Sequence, residues 1–293
     1  MSPEGVGNVK SVGIISKPAK PEIKEIACGL VQWLEGHGYQ VFVDKETAAC
    51  APGSEVAERE QMSVRRPEFV VVLGGDGTML AAARVLARAG IPILGVNLGS
   101  LGFLTEVTLA ELYPTLEAME KGQCATESRA MMHCQLERGG KSVASYEALN
   151  DAVVSKSALA RIADFAVEVD GAFVSQYKAD GLILATPTGS TAYSLAAGGP
   201  VLAPDVAAFV ITPISSHALT NRPLVVRDTA EIVVVVKSIQ EKAYLTVDGQ
   251  VGIPVHDGDR LVCRKSQQTV KLLRQRKRTF FDVLRGKLKW GER

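Results

Sequence analysis

Asp76 stands inside the run Gly74-Gly75-Asp76-Gly77-Thr78, directly after five apolar residues (Phe69-Val70-Val71-Val72-Leu73) that read as a buried strand. A helical pattern over residues 79–89 follows and ends at Gly90. Glycines between a buried strand and a helix let backbone N–H groups close on phosphate oxygens. A carboxylate in such a turn would repel a phosphate directly. It needs a task of its own: holding a metal ion, or taking the proton of a hydroxyl that attacks phosphorus. The structural alternative is a tight turn whose aspartate caps the next helix.

Three further clusters carry residue types suited to nucleotide chemistry. Gly95-Val96-Asn97-Leu98-Gly99-Ser100-Leu101-Gly102-Phe103 is a second glycine-rich loop after a strand, and in a doubly wound sheet it lies near the first, at the carboxyl edge. Phe103 has the shape to stack on a base, or to sit in the core. Asn150-Asp151 opens an apolar run; an amide can pair with a base edge and a carboxylate can accept from ribose hydroxyls, although a turn uses the same pair. The densest block runs from Asp180 to Pro200 (DGLILATPTGSTAYSLAAGGP) and combines a strand, a hydroxyl-rich turn and a helix start. Its Thr188, Ser190 and Thr191 hydroxyls and exposed N–H groups suit a sugar or phosphate. There is no Gly-Lys-Ser/Thr after a glycine cluster and no GxGxxG after a strand, so neither a Walker A loop nor an ordinary Rossmann site is expected.

Two different periods position these clusters. Strands at 12–16, 41–43, 69–73 and 91–96 alternate with helical patterns, the first opening at Pro21 and closing at Gly36 and Gly38. Buried, non-alternating strands separated by helices predict a parallel sheet covered on both faces. Thr108-Leu109-Ala110-Glu111 reads as a capping box, and Pro114 requires the helix to kink or to begin later than the box. From about Met131 the period becomes two, with Gly139-Gly140, Asp170-Gly171 and Asp248-Gly249 as hairpin turns. That half predicts an antiparallel sheet or sandwich, broken by a short helix over 190–197. The basic C-terminal segment is expected to be helical around 280–288, a solvated face packing back through Phe280, Phe281, Leu284 and Trp290. The fold class is therefore an α/β N-terminal domain with a mostly parallel sheet plus a β-rich, sandwich-like C-terminal domain. The domains are residues 1–129, with 278–293 packing back onto them, and 130–277.

The composition narrows the class. Among 293 residues, 46% are hydrophobic and 22% charged, as in a soluble globular protein. A net charge of +1 gives no general attraction to nucleic acid or anionic membrane, so neither is expected as a partner. Five scattered cysteines without CxxC spacing suit unpaired thiols in a reducing compartment. With a polar N-terminus and no bilayer-length apolar run, a cytoplasmic location is expected.

Taken together, GGDGT, the Asn-Asp pair and the Asp180–Pro200 block resemble the bacterial NAD kinases, as do LTNRPLVV at 219–226 and FFDVLR at 280–285. The resemblance covers nearly the whole chain. GGDGT alone is shared with lipid kinases and phosphofructokinases; the threonine-glycine-serine-threonine block is far more specific. The resemblance implies the two-domain NAD kinase-like fold and phosphorylation of the 2′-hydroxyl of the adenosine ribose of NAD. It implies Asp76 as the proton acceptor, with Gly74, Gly75, Gly77 and Thr78 around the dinucleotide. It places Asn150 and Asp151 at the adenosine, where the family more often has Glu at the second position. Asp180 falls at the nicotinamide amide, and Arg161 and Lys178 at phosphates or on the surface. Thr188 and the run Thr191, Ala192, Tyr193, Ser194, Leu195 and Ala196 line the site, with Gln250 as a polar contact. It also implies a divalent cation, Mg²⁺ first, with no metal ligand assigned, and a homodimer or homotetramer. The donor stays open between ATP, another nucleoside triphosphate and polyphosphate. The alternatives are a lipid kinase sharing GGDGT and a dinucleotide-binding regulator without catalysis.

Overall fold

The computed structural model describes residues 10–17, 22–99, 102–157, 163–237, 243–275 and 278–290. In chain order the strands are β1 (Ser11–Ser16), β2 (Gln40–Val43), β3 (Glu55–Val56), β4 (Phe69–Leu73), β5 (Ile93–Asn97), β6 (Val107–Thr108), β7 (Cys124–Arg138), β8 (Lys141–Ala148), β9 (Asp151–Lys156), β10 (Ala163–Val169), β11 (Ala172–Ala179), β12 (Gly181–Ala185), β13 (Ala208–Ile214), β14 (Leu224–Arg227), β15 (Ile232–Lys237), β16 (Ala243–Val247), β17 (Val251–Val255) and β18 (Arg260–Gln275). The α-helices are α1 (Glu22–Gly36), α2 (Lys45–Ala48), α3 (Arg59–Arg65), α4 (Asp76–Leu86), α5 (Leu112–Glu120), α6 (Tyr193–Ala196) and α7 (Phe280–Leu288). Two compact units result: Met1–Ser128 with Val270–Arg293, and Arg129–Thr269. The sequence reading ends the β-rich domain at 277, whereas this division falls at Thr269.

The first unit is a parallel sheet in the order β5-β4-β1-β2-β3, with the end of β18 joining β5 through Leu272 and Ile93. Every residue of β4 and β5 is buried, as a sheet covered on both faces requires. One layer of its core packs Val12, Ile14, Val71, Leu94 and Val96 against Ala27, Leu30 and Leu34 of α1 and Leu112 and Leu116 of α5. The chain leaves β1 toward β2 on one side and returns to β4 on the other. The carboxyl ends of β1 and β4 therefore border a topological switch point, where open α/β sheets leave a crevice.

The second unit is antiparallel. One sheet has the order β14-β13-β12-β9-β16-β17, and a second set pairs β11, β10, β15 and the first part of β18. Alternate residues fill the core between them: Ala152, Val154, Leu182, Leu184 and Leu245 from the first, Phe165, Val167, Ile232 and Val234 from the second. Their neighbours Val153, Ile183 and Ala185 point the other way and are covered by Ala197 and Leu202.

Four local expectations need correction. α4 begins at Asp76, three residues before the helical pattern, and a 3₁₀ turn (Ala87–Ala89) precedes the left-handed Gly90. Asp76 is thus the first helical residue, and Gly75 is the residue that caps. The helix expected over 190–197 is split into a 3₁₀ turn (Gly189–Thr191) and α6, because Ala192 leaves the helical region at φ −99°, ψ −127°. The Thr108/Glu111 capping box forms, and of the two outcomes expected from Pro114 the helix begins later: after a 3₁₀ turn α5 starts at Leu112, which puts Pro114 in the first turn where its missing N–H costs nothing. α7 packs through Val283 and Leu284, while Phe281 and Trp290 are more than half exposed. Nor is the basic C-terminal segment wholly a solvated face. Within the first unit, Arg274 bonds Glu106 and Glu127, and Arg278 bonds Glu111.

Candidate active site

In the first unit the site starts at the end of β4. Gly75 is extended (φ −101°, ψ −173°) and turns the chain into α4, so Asp76 projects from the first helical turn. A Cβ on Gly74 would lie 2.5 Å from Thr78 Oγ1, which is why that position has room for no side chain. The Asp76 carboxylate gathers the loop after β5. Its Oδ1 accepts from Leu104 N (3.1 Å), Thr105 N (3.2 Å) and Thr105 Oγ1 (3.2 Å), and its Oδ2 from Phe103 N (3.0 Å). Asn97 braces the same loop: its Nδ2 donates to Thr105 Oγ1 (2.8 Å) and its Oδ1 accepts from Gly99 N (2.6 Å). The two glycine-rich loops are therefore one hydrogen-bonded assembly.

That assembly borders a cleft of about 410 Å³ at the switch point, lined by Gly74, Gly75, Asp76, Thr78, Asn97 and Gly102, with Ile23, Leu98, Gly99 and two lysines. Lys17 comes from the residue after β1, and Lys287 from α7. Both are exposed, and neither forms an ion pair among the described residues. Among the described residues, Asp76 is the only carboxylate in this lining. A second hollow of about 450 Å³ shares Ile23, Asn97, Leu98 and Gly99 with it and adds Ile26 and Leu109 as apolar walls. The two adjoining hollows thus combine one carboxylate and two cations with the apolar side chains of Ile23, Ile26, Leu98 and Leu109.

In the second unit, Asn150 and Asp151 lead into β9 and line a hollow of about 320 Å³ with Ala192, Tyr193, Thr246 and Asp248. Asp151 is 5% exposed, and neither its carboxyl nor the Asn150 amide has a hydrogen-bond partner among the described residues. Burial, and then the charge of Asp248, push the Asp151 carboxyl up to about 7. Asp248 itself accepts from the backbone N–H groups of Leu149 (3.1 Å), Asn150 (2.7 Å) and Asp151 (3.1 Å).

Two family models match this chain: the ATP-NAD kinase N-terminal domain over residues 12–124 and the ATP-NAD kinase C-terminal domain over residues 149–275. The chain belongs to the NAD kinase family. The NAD kinase of Koribacter versatilis is 57% identical over 97% of this chain and 100% of its own length. That of Acidobacterium capsulatum is 53% identical, with the same coverage. Among solved structures, yeast NADH kinase complexed with NADH matches with a TM-score of 0.84 at 26% identity, covering 97% of this chain and 89% of that one. An NAD kinase from Archaeoglobus fulgidus in complex with ATP matches at 0.73 and 27%, covering 94% and 98%. The α/β unit with its parallel sheet and the antiparallel unit are the two-domain fold of this family.

The residues read from the sequence fall into two groups, one per unit. Gly74, Gly75, Asp76 and Thr78 line the first cleft. Gly77 lies on the exposed side of the turn, and Phe103 is half-buried and reaches the site through its backbone N–H. Asn150, Asp151, Ala192 and Tyr193 share the second hollow; Thr188, Thr191, Leu195, Ala196 and Gln250 lie outside its lining. Several hydroxyls of the dense block are already engaged. Ser194 Oγ bonds Thr212 Oγ1 (2.8 Å), Ser190 Oγ donates to Pro187 O (2.7 Å), and Thr191 Oγ1 donates to Thr188 O (3.1 Å). Thr188 is 6% exposed. Asp180 takes an ion pair from Lys156 (3.4 Å), Lys178 is exposed on β11, and Arg161 lies outside the described residues. The sequence reading gave no site role to Lys17, Asn97, Thr105, Asp248 or Lys287. Asp248 had been read as a turn residue and Lys287 as part of the basic tail.

Proposed function

We propose that this chain transfers the terminal phosphoryl group of a nucleoside triphosphate to the 2′-hydroxyl of the adenosine ribose of NAD, giving NADP. The observation that carries the reading is Asp76, in a family of NAD kinases, held by four donors at the mouth of a cleft with two lysines that form no ion pair among the described residues. A carboxylate fixed in this way keeps its place while a reacting hydroxyl approaches. The 2′-oxygen bonds to the terminal phosphorus, the bridging P–O bond of the donor breaks, and the hydroxyl proton goes to Asp76. Oδ2, which accepts from Phe103 N while Oδ1 already accepts from three donors, is the oxygen that receives it. Lys17 and Lys287 offset the charge of the donor phosphates, and the backbone of Gly74 and Gly75 approaches them closely.

The apolar walls Ile23, Ile26, Leu98 and Leu109 suit the donor's base, which favours a nucleoside triphosphate such as ATP over polyphosphate. A divalent cation, Mg²⁺ above all, fits a cleft with one carboxylate, because such ions bind through one or two carboxylates and the substrate's phosphates. Asp76 would hold it, and its contribution is to neutralise donor charge. Asn150 and Asp151 meet the adenosine: the amide reads a base edge and the carboxyl accepts from a ribose hydroxyl. Asp180 meets the nicotinamide amide, and Thr188, Tyr193, Ser194 and Gln250 complete the dinucleotide contacts. We further propose a homo-oligomer working in the cytoplasm; among the described residues no helix is long and apolar enough to cross a membrane.

The test is formation of NADP from NAD, ATP and Mg²⁺, with Asp76→Asn alongside. General-base catalysis is worth about 10²–10⁴ in rate, so the variant is expected to lose at least that much. Phosphorylation of diacylglycerol in place of NAD, or NAD binding without turnover by any donor, would replace this reading with one of its alternatives.

A further inference from the structure

Leu149, Asn150 and Asp151, at the entry to β9, have all six of their backbone polar groups bonded. Asp248 Oδ atoms accept from the N–H groups of Leu149, Asn150 and Asp151 at 2.7–3.1 Å. Asp248 N in turn donates to Asp151 O (2.9 Å), Thr186 N donates to Asn150 O (2.9 Å), and Thr186 Oγ1 donates to Leu149 O. Residues entering a strand lack part of the regular ladder and must find other partners. Here two residues meet all six: the Asp248 carboxylate takes the three N–H groups, and the Asp248 N–H, the Thr186 N–H and the Thr186 hydroxyl serve the three carbonyls; both residues are at most 6% exposed.

We propose that Asp248 is a positioning residue for dinucleotide recognition: from the tip of the β16–β17 hairpin it fixes the backbone of Leu149, Asn150 and Asp151, and so presents the Asn150 and Asp151 side chains to the adenosine. The inference rests on the kinase reading above and deepens it. Turn geometry alone does not explain the choice of residue. Asp248 and Gly249 have φ of 49° and 65°, a pair that Asn-Gly or Gly-Gly adopts equally well. What only a carboxylate supplies is acceptor capacity for three N–H groups at once.

Asp248 has a second consequence. It is the charged group that faces the Asp151 carboxyl. Of the strands flanking β9, β12 carries no ionisable side chain, and β16 carries only Tyr244, paired with Ser155 further along. Tyr193 lines the same hollow; beyond it lie the buried thiol of Cys134 and Glu147, which is bonded to His133. Burial, and then the negative charge of Asp248, hold the Asp151 proton on toward neutral pH. A ribose hydroxyl donating to Asp151 favours its ionised form, so NAD affinity is expected to rise with pH. With the midpoint at about 7, binding at pH 6 should be about tenfold weaker than at pH 8.

The experiment measures NAD binding calorimetrically from pH 5.5 to 8.5 for the wild type, Asp248→Asn and Asp248→Gly, with amide exchange at Leu149, Asn150 and Asp151. Both variants suit the turn but leave buried N–H groups without the carboxylate, so melting temperatures should fall by several degrees, and NAD affinity of the folded variants should fall at least tenfold. The three amides should lose protection, and in Asp248→Asn the pH midpoint should move down. A purely structural role would lower the melting temperature while leaving the NAD affinity and pH midpoint of the folded variants unchanged. Unchanged NAD affinity and midpoint in folded variants would overturn the inference. If neither variant folds, the wild type decides: unprotected amides, or an Asp151 titrating near 4, would refute it. A wild type that binds NAD but makes no NADP would sink the kinase reading and leave this one standing, whereas no NAD binding at all overturns both.

Discussion

Gly102→Ala tests whether the bonds that Asp76 gathers are what hold the first cleft together. A Cβ built on Gly102 falls onto the Asp76 carboxylate and lies 2.5 Å from Thr105 Oγ1. Gly102 also closes the 102–105 turn by donating to Thr105 O (3.3 Å). Neither neighbour is the far end of a flexible chain: Asp76 is fixed in the first turn of α4 and Thr105 is fully buried. The methyl must therefore push the carboxylate from the loop and break at least two of its four bonds. Hydrogen bonds to charged groups contribute about 1.5–3 kcal/mol each, and water recovers part of that for a half-buried carboxylate. The expected destabilisation is about 3 kcal/mol, roughly 6–12 °C in melting temperature for a unit in this size class. Activity should fall further than stability, because the carboxylate is displaced even in the folded fraction. Gly75→Ala is the control: its added methyl meets no atom within 4 Å and its φ of −101° is open to alanine, so its melting temperature should hold. Scanning calorimetry and NADP formation on both variants give the answer. A Gly102→Ala protein with wild-type melting and wild-type turnover would refute the clamp.

The two lysines give a donor-specific prediction: Lys17→Ala and Lys287→Ala should each raise the KM for ATP about tenfold, the equivalent of about 1.4 kcal/mol. The NAD KM should stay within twofold, and equal effects on both substrates would contradict the assignment to donor phosphates. The Asp151 carboxyl gives a stability prediction with a definite sign. Its folded value of about 7 lies above the ordinary value of 3.8, so its stabilising contribution is complete below about 4 and is lost as pH rises through 7. Between pH 5.5 and 7.5 this group alone should cost the wild type about 2 kcal/mol. Asp151→Asn should flatten that slope in urea titrations, and parallel slopes would show that the carboxyl ionises normally.

Local periodicity made the elements legible where burial was uniform. Phe69–Leu73 was readable to the residue, because five apolar residues covered on both faces and stopped by two glycines leave one interpretation. The helix after it was read three residues late. Gly75, Asp76 and Gly77 are poor interior helix formers, but the first turn of a helix leaves its N–H groups free and tolerates them. The break at Ala192 had no periodic signature either. It follows from Ser190, whose buried hydroxyl donates to Pro187 O and accepts from Leu202 N, pinning the 3₁₀ turn to a segment twelve residues away. At the C-terminus Leu284 packs as expected, but aromaticity misled: Phe281 and Trp290 are more than half exposed, and Val283 is the other residue that α7 buries.

The site divides along the same line. Motifs that are continuous in sequence were visible, while the residues completing them were not, because spacing carries period and not topology. Asp76 announced itself between glycines, yet its four donors come from residues 103–105, 27 to 29 positions on. Asp248 is 97 to 99 positions from the amides it holds, and its Asp-Gly context supplied a complete but smaller explanation as a turn. Lys287 reaches the cleft because β18 adds to the parallel sheet at β5 and α7 follows, a placement no local pattern encodes. The two aspartates nevertheless share one physical signal. Each sits at a chain reversal where several backbone N–H groups converge, and a carboxylate is the side chain that can accept from all of them. What separates their roles is the surroundings: Asp76 lines a cleft with two lysines, whereas Asp248 faces a second buried carboxyl. The first arrangement suits a group that meets phosphate chemistry, and the second suits one that holds its neighbour in place and sets that neighbour's charge.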